Sequence, residues 1–269
     1  MLRFVVLASG SSGNAAAVWN GGRGLLIDAG TGSSSALERS LTHAGLDPRG
    51  IAGILVTHAH SDHFGRPARV LARKHGVPIL THRDTWTAAC RRARDFRDME
   101  QRGELRFLTE HADHLHDDFQ ISTWPVPHGG EEAGRPLAFT VRAGGREVFY
   151  ATDLGRVPHY LVDAMRSADF VLLESNYDPG LEERSSRPAF LKSWVMGGTG
   201  HLSNAEAAQA LARVFEPGHT KYPRRVVLGH LSAECNHPDL ALAEARKGVP
   251  PHVELHVASR HEASVVWEV

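Results

Sequence analysis

The hydrophobic pattern of the chain switches repeatedly between short continuous runs and a helical period. Apolar runs bounded by Gly, Ser or Asn predict strands over Phe4–Ala8, Ala15–Trp19 and Leu25–Asp28, joined by Gly-rich turns. A helix follows over Ala36–Ala44, with Ser35 and Glu38 at capping-box spacing and Gly45 as its stop. Gly53–Thr57 reads as a buried strand, His58–His63 as a polar cluster and Pro67–His75 as an amphipathic helix. Val77–Thr81 predicts a strand and Thr85–Gln101 an Arg-rich helix. The middle is mostly strand: Leu105–Leu108, Phe119–Val126, Leu137–Arg142 and Val148–Ala151. Beyond it lie helices over Tyr160–Arg166, Ala189–Met196, the segment from Ser203 to Phe215 (with a Ser203/Glu206 capping box) and Pro238–Lys247. Strands are predicted at Phe170–Glu174, Arg225–Leu228, Val253–Ala258 and Ser264–Val269.

Strands come first, then a mixed αβ order that recurs after about residue 135. Two αβ halves, roughly 1–135 and 136–269, packed sheet to sheet with helices outside, satisfy that order within one domain spanning residues 1–269. With 42% hydrophobic residues, a chain of 269 can bury a core without staples. The two cysteines, Cys90 and Cys235, have no CxxC spacing and give neither a disulfide framework nor a thiolate metal site. The apolar start Met1–Ala8 is shorter than a signal-peptide core and reads as a buried first strand. No run reaches the ~18 apolar residues a membrane span needs. The expectation is a soluble, cytoplasmic protein without membrane association. Net charge of −1 and a pI near 7.0 name no partner, so any basic surface must be local. Oligomeric state is not specified.

Eighteen histidines direct attention to metal chemistry. The segment Thr57-His58-Ala59-His60-Ser61-Asp62-His63 contains HxHxDH, which composition alone would produce roughly 0.004 times in a chain of this size. The preceding apolar strand pins this loop at a sheet edge. Alternate residues of an extended segment project together, so His58 and His60 can share one ion, while Asp62 and His63 face a second. Four further apolar strands end in a suitable residue: Asp28, His128, Asp153 and His230. His111-Ala-Asp-His-Leu-His-Asp-Asp118 is equally rich in ligand types, but no buried strand precedes it, and it reads as a solvated loop. The arginines 91, 92, 94, 97 and 102 are interleaved with Asp95, Asp98 and Glu100, which favours an ordinary solvated face over a nucleic-acid track.

These segments resemble the metallo-β-lactamase superfamily over nearly the whole chain. The resemblance implies a four-layer αββα sandwich in which two mixed sheets pack face to face with helices outside. It narrows with Leu7-Ala-Ser-Gly-Ser-Ser-Gly-Asn14, Ala151-Thr-Asp-Leu-Gly155, Glu174-Ser-Asn-Tyr-Asp178, Gly200-His-Leu-Ser-Asn204 and Gly229-His-Leu-Ser232. Together they are similar to the YycJ (WalJ)-like branch of small bacterial enzymes, associated with 5′→3′ DNA exonuclease activity. Carried over, His58, His60 and His128 would bind one metal, Asp62, His63 and His230 the other, and Asp153 would bridge them. Asp28 would orient a ligand histidine. His201 would serve as general acid or phosphate contact, with Glu174 as its orienting partner, and Asp62 would take a proton. The Ser9–Asn14 loop, through Ser11, Ser12 and Asn14, offers a phosphate contact, although a hairpin turn explains such a loop equally well. Two departures stand out: Gly129 follows His128 where the family tends to have Asp, and Asn176-Tyr177 replaces a motif containing His.

The implied cofactors are two divalent metal ions, zinc or manganese before iron. Two ions about 3.5–4 Å apart can hold a shared hydroxide and clamp a phosphate during in-line displacement. The expectation is therefore a phosphodiesterase acting on nucleic acid, DNA before RNA, cutting exonucleolytically from a 5′ end. The competing functions are a tRNase Z-like RNA-processing nuclease, a glyoxalase-type thioesterase, a secreted β-lactamase and a non-catalytic scaffold. A lactamase lacks support because no export signal is evident, and a scaffold because all seven ligands are present.

Overall fold

The computed structural model describes residues 1–93, 96–260 and 262–269. The first sheet is built from β1 (Leu2–Ala8), β2 (Ala15–Asn20), β3 (Arg23–Ile27), β4 (Ile51–Leu55), β5 (Ile79–His82) and β6 (Leu105–Leu108), with the last strand, β14 (Trp267–Glu268), on the β1 edge. The second holds β7 (Asp113–His116), β8 (Phe119–Pro125), β9 (Leu137–Ala143), β10 (Arg146–Ala151), β11 (Phe170–Glu174), β12 (Arg225–Gly229) and β13 (Glu254–Val257), hydrogen-bonded in that order. Both sheets are mixed: β3–β6 and β10–β13 pair in parallel, and the remaining strands antiparallel.

The central strands are apolar on both faces because each face meets a partner. Phe4, Val18, Leu25 and Ile27 of the first sheet pack between the sheets against Phe139, Val148, Tyr150 and Leu172 of the second. The outer face of the first sheet, including Leu26 and Ile54, is covered by α1 (Ser34–His43), α2 (Arg66–His75) and α3 (Arg83–Arg92) through Leu37, Leu71 and Trp86. The outer face of the second, with Phe149, Leu173 and Leu228, is covered by α5 (His159–Ser167), α8 (Asn204–Val214) and α9 (Pro238–Ala245) through Leu161, Leu211 and Ala241. Helix, sheet, sheet, helix is the four-layer αββα sandwich expected. Among the described residues, no helix is long and apolar enough to cross a membrane.

Several local expectations are corrected. The sheets change over between Leu108 and Asp113 rather than near residue 135, and β14 returns to the first sheet. Pairing of β8 with β9 from Gln120 to Pro125 recruits the end of the first half into the second sheet. The first helix is capped by Ser33, whose side chain accepts from Ala36 N, instead of by Ser35. The Arg-rich segment is not one helix: α3 ends at Arg92, and a short α4 (Asp98–Gln101) follows. Arg94 and Asp95 lie outside the described residues. The presumed solvated loop contains a strand, β7, antiparallel to β8 from Asp113 to His116, with His116 Nε2 3.0 Å from Ala52 O. A further short helix, α6 (Pro179–Arg184), precedes α7 (Ala189–Val195).

Candidate metal centre

β3 and β4 run parallel, and β8, β10, β11 and β12 share one direction in the second sheet. Their carboxyl ends deliver Asp28, His58–His63, His128, Asp153, Glu174 and His230 to one place. Three of these turns use a left-handed backbone on a non-glycine residue: Asp28 (φ 59°), Asp153 (φ 59°) and His230 (φ 56°). That conformation costs energy, and it folds the chain back sharply so that the side chain faces the neighbouring strand ends.

The donor atoms form two clusters. His58 Nε2 and His60 Nδ1 are 3.0 Å apart, and His128 Nε2 is 3.4 Å from the same His60 nitrogen. His63 Nε2 lies 3.5 Å and His230 Nε2 4.0 Å from Asp62 Oδ2. Asp153 stands between the clusters, with Oδ2 3.0 Å from His63 Nε2 and Oδ1 3.5 Å from His230 Nε2 and 3.7 Å from His128 Nε2.

Four of the five histidines have their other ring nitrogen anchored, which leaves Nε2 to point inward. His63 Nδ1 donates to Asp28 Oδ2 at 2.7 Å, and His128 Nδ1 to the Gly200 carbonyl at 2.8 Å. His230 Nδ1 donates to Glu174 Oε1 at 2.8 Å. His58 Nδ1 meets Thr57 Oγ1 at 3.0 Å, and that hydroxyl bonds in turn to Asp28, 2.9 Å from Oδ2. Asp28 therefore positions one histidine from each cluster.

The electrostatics suit a cation. Burial keeps His58, His60 and His128 below the ordinary imidazole value of 6.5, His128 at about 4, so their lone pairs are free at neutral pH. Burial also opposes charge on His63, but Asp153, Asp28 and Asp62 hold its pKa well above 6.5. Burial works against ionised Asp153 as well, yet His230 and His63 keep its carboxyl well below the carboxylate range. His230 Nε2 is buried without a hydrogen-bond partner, whereas Asp153 Oδ2 has His63 Nε2 3.0 Å away. An orphaned atom of this kind costs about 1–3 kcal/mol, and a metal ion would satisfy it. Neutral imidazoles with carboxylates are the donor set of zinc, manganese or iron. The residues fit the ions expected of them.

Glu174 is an orienting group. Its Oε1 accepts from Nδ1 of both His201 (2.7 Å) and His230 (2.8 Å), and its Oε2 from the N–H groups of Leu154 (2.9 Å) and Leu202 (3.2 Å). Four partners use up its acceptor sites. Burial is offset by His201, and the Glu174 pKa falls to about 2.

The Ser9–Asn14 loop is also largely committed. Ser9 Oγ accepts from His230 N, Gly10 N donates to Asn14 Oδ1 and Asn14 N to Asp62 O. Asn14 is fully buried, with Nδ2 2.9 Å from His63 Nε2, so it braces the centre, whereas Ser11 and Ser12 are exposed. A cleft of about 680 Å³ opens beside His60 and Asp62 and is walled by Arg91, Arg92, Glu131 and Glu132. Among the described residues, the His111–Asp118 stretch contributes to no cluster of metal-ligand geometry.

A model described as a beta-lactamase superfamily domain matches residues 23–231. Exodeoxyribonuclease YycJ of Bacillus anthracis is 31% identical over 268 residues, covering 95% of this chain and 94% of its own. This chain belongs to the metallo-β-lactamase superfamily. Exodeoxyribonuclease WalJ of Streptococcus pneumoniae serotype 2 is 29% identical over 282 residues, covering 99% of this chain and 98% of its own. The metallo-β-lactamase fold protein YhfI of Bacillus subtilis superposes with a TM-score of 0.71 at 16% identity over all of both chains, a likeness of fold. As a member of the superfamily, the chain is a metal-dependent hydrolase.

The two departures from the family pattern find structural roles. Gly129 (φ 63°) donates its N–H to Thr199 O, linking the His128 turn to the segment before His201. Asn176 Nδ2 donates to His230 O at 2.7 Å and so supports a ligand turn. Sequence reasoning named Asp28 and Glu174 as residues that act through a histidine, but missed others. Thr57 was visible beside His58, but its link to Asp28 spans 29 residues. Ser9 reaches His230 across 221 residues. Arg92 donates to the carbonyls of Ala59 and Phe64 and holds the ligand loop at both ends.

Proposed function

We propose that this hydrolase is a dinuclear phosphodiesterase acting on nucleic acid, DNA before RNA, that removes nucleotides from a 5′ end. The observation that carries the reading is the His201–Glu174 pair, Nδ1 to Oε1 at 2.7 Å, set beside the His58–His60–His128 and Asp62–His63–His230 clusters, with Asp153 3.0 Å from His63 Nε2 and 3.7 Å from His128 Nε2. Relatives that cover 94% and 98% of their own lengths are named exodeoxyribonucleases, which supports the substrate class.

Two divalent ions, zinc or manganese before iron, would supply charge neutralisation for a phosphate and activation of water. His58, His60 and His128 would hold one, Asp62, His63 and His230 the other, with Asp153 common to both. Asp62, 26% exposed at the side chain, turns Oδ2 to His63 and His230 and would accept the proton of the attacking water at its other oxygen. The new P–O bond forms as the bond to the leaving oxygen breaks, and that oxygen needs a proton. His201 supplies it from Nε2, since Nδ1 is held by Glu174. Burial disfavours the charged His201 ring, but Glu174 outweighs it and raises the pKa above 6.5, which keeps the acid loaded near neutrality.

The test offers the metal-loaded protein end-labelled DNA, the matching RNA, a thioester and a chromogenic β-lactam. DNA labelled at the 5′ end should release labelled mononucleotide at the earliest times, and 3′-labelled DNA should shorten gradually. Cleavage of circular single-stranded DNA as fast as linear DNA would make the enzyme an endonuclease. Faster RNA processing or thioester hydrolysis would move it to the tRNase Z or glyoxalase lines.

A further inference from the structure

Beyond the atoms that handle the phosphate, one side chain at the centre has no role in that chemistry. Trp194, in the last turn of α7, places its ring centroid 5.4 Å from His201, edge to face at 88°, and 6.0 Å from His128. It is 38% exposed. Phe190, one turn earlier, is 76% exposed and Met196 39%. Three of the eight exposed large apolar side chains among the described residues thus fall in one seven-residue segment, and Trp194 of that segment stands at the metal centre. Val195, between them, is buried and anchors the helix. Clustered apolar exposure of this kind marks a contact surface.

The indole is fixed relative to His201. His201 N donates to Val195 O at 2.9 Å, Gly197 N to Trp194 O and Gly200 N to Gly197 O, so Trp194 and His201 stand at the two ends of one tight turn. A Cβ on Gly200 would approach Trp194 O to 2.1 Å, and only glycine permits this closure. If the indole merely walled the imidazoles, packing would cover it. A phosphate and metal ions have no use for an aromatic face, but a nucleobase does: stacking is sequence-tolerant because every base presents a π surface. The oxygen protonated by His201 belongs to the leaving nucleotide, so the base of that nucleotide lies on the Trp194 side.

We infer that Trp194 is the stacking platform for the nucleobase on the leaving-group side of the scissile phosphate, with Phe190 extending the same aromatic face. The inference rests on the nuclease reading. It is tested by a cycle of two proteins and two substrates: wild type and Trp194→Ala, each with an intact oligonucleotide and one lacking the base of the nucleotide that leaves. Trp194→Ala should lower kcat/KM on the intact strand by roughly 5- to 150-fold, the range for one base on one ring. Base removal should cost the wild type a similar factor and the variant little more. Trp194→Phe should recover most of the loss. Equal costs of base removal in both proteins, or no loss in Trp194→Ala, would overturn the inference.

A second readout is independent of turnover. Indole emission of the holoenzyme should be quenched by an oligothymidylate with phosphorothioate linkages, and Trp194→Phe should lose that quenching. Quenching without cleavage of any DNA or RNA would uphold Trp194 as a base-stacking surface but refute the nuclease and with it the leaving-group assignment. Cleavage with additive losses and no quenching would do the reverse.

Discussion

At the scale of single residues, Glu174 separates two kinds of contribution. It anchors His201, proposed to act on the leaving oxygen, and His230, proposed to hold a metal, through one oxygen. His201→Ala should therefore lower kcat by roughly 10²- to 10⁴-fold, as loss of a general acid does, with metal content unchanged. The defect should shrink with a p-nitrophenyl phosphodiester, whose leaving group needs little protonation. Glu174→Gln should lose turnover and also weaken metal binding by about 10- to 100-fold, the usual effect of removing a ligand's anchor. Steady-state kinetics with elemental analysis of both variants decide this. Loss of metal from His201→Ala would make it a ligand, and an equal defect on both leaving groups would remove it as the acid.

At the scale of elements, the centre depends on how closely the loops after β3 and β4 approach. Ala29 N, after β3, donates to His63 O, and Asn14 N, in the loop between β1 and β2, donates to Asp62 O, so both loops are drawn onto the His58–His63 segment after β4. A Cβ on Gly30 would stand 1.9 Å from the Asp62 carbonyl carbon and 2.3 Å from His63 N. These are backbone atoms, so a rotamer change cannot relieve the clash. Gly30→Ala should destabilise the fold by about 1–3 kcal/mol and lower affinity at the Asp62–His63–His230 cluster more than at His58–His60–His128. Melting temperature and metal titration of the variant measure both effects. Wild-type affinity at both clusters would show that the approach is not needed.

At the scale of the whole molecule, metal and fold are coupled, because ligands from both sheets meet only when the sheets are packed. Saturation at 100 times the dissociation constant adds about 2.7 kcal/mol to stability. Chelation should accordingly lower the melting temperature by several degrees, with secondary structure retained since the apolar cores contain none of the proposed ligands. His63 carries a proton in the absence of metal because its pKa is raised above 6.5, so an incoming ion must displace that proton. Affinity at this cluster should therefore fall as pH drops through neutrality. Calorimetry in buffers of different ionisation enthalpy should register proton release on binding near pH 7. Heats that do not depend on the buffer would contradict a protonated His63.

Much of this protein can be read along the chain. Apolar runs located nearly every central strand, because a strand buried on both faces has to be continuously apolar. The residues that gather at the centre were legible for a related reason: a polar residue directly after such a run is held at a sheet edge, as with Asp28, Asp153 and His230. The helix break after Arg92, the strand Asp113–His116 and the cap at Ser33 were not legible, since local propensity is overridden by pairing and packing with distant segments. Nor could the chain alone show that Thr57 relays Asp28 to His58, that Glu174 serves two histidines or that Trp194 stands over His201. Composition and periodicity determine which residues are buried and which end a strand. The partners that fill each remaining hydrogen-bond site depend on contacts between distant segments, such as Ser9 with His230, 221 residues apart, and only packing of the two sheets decides them.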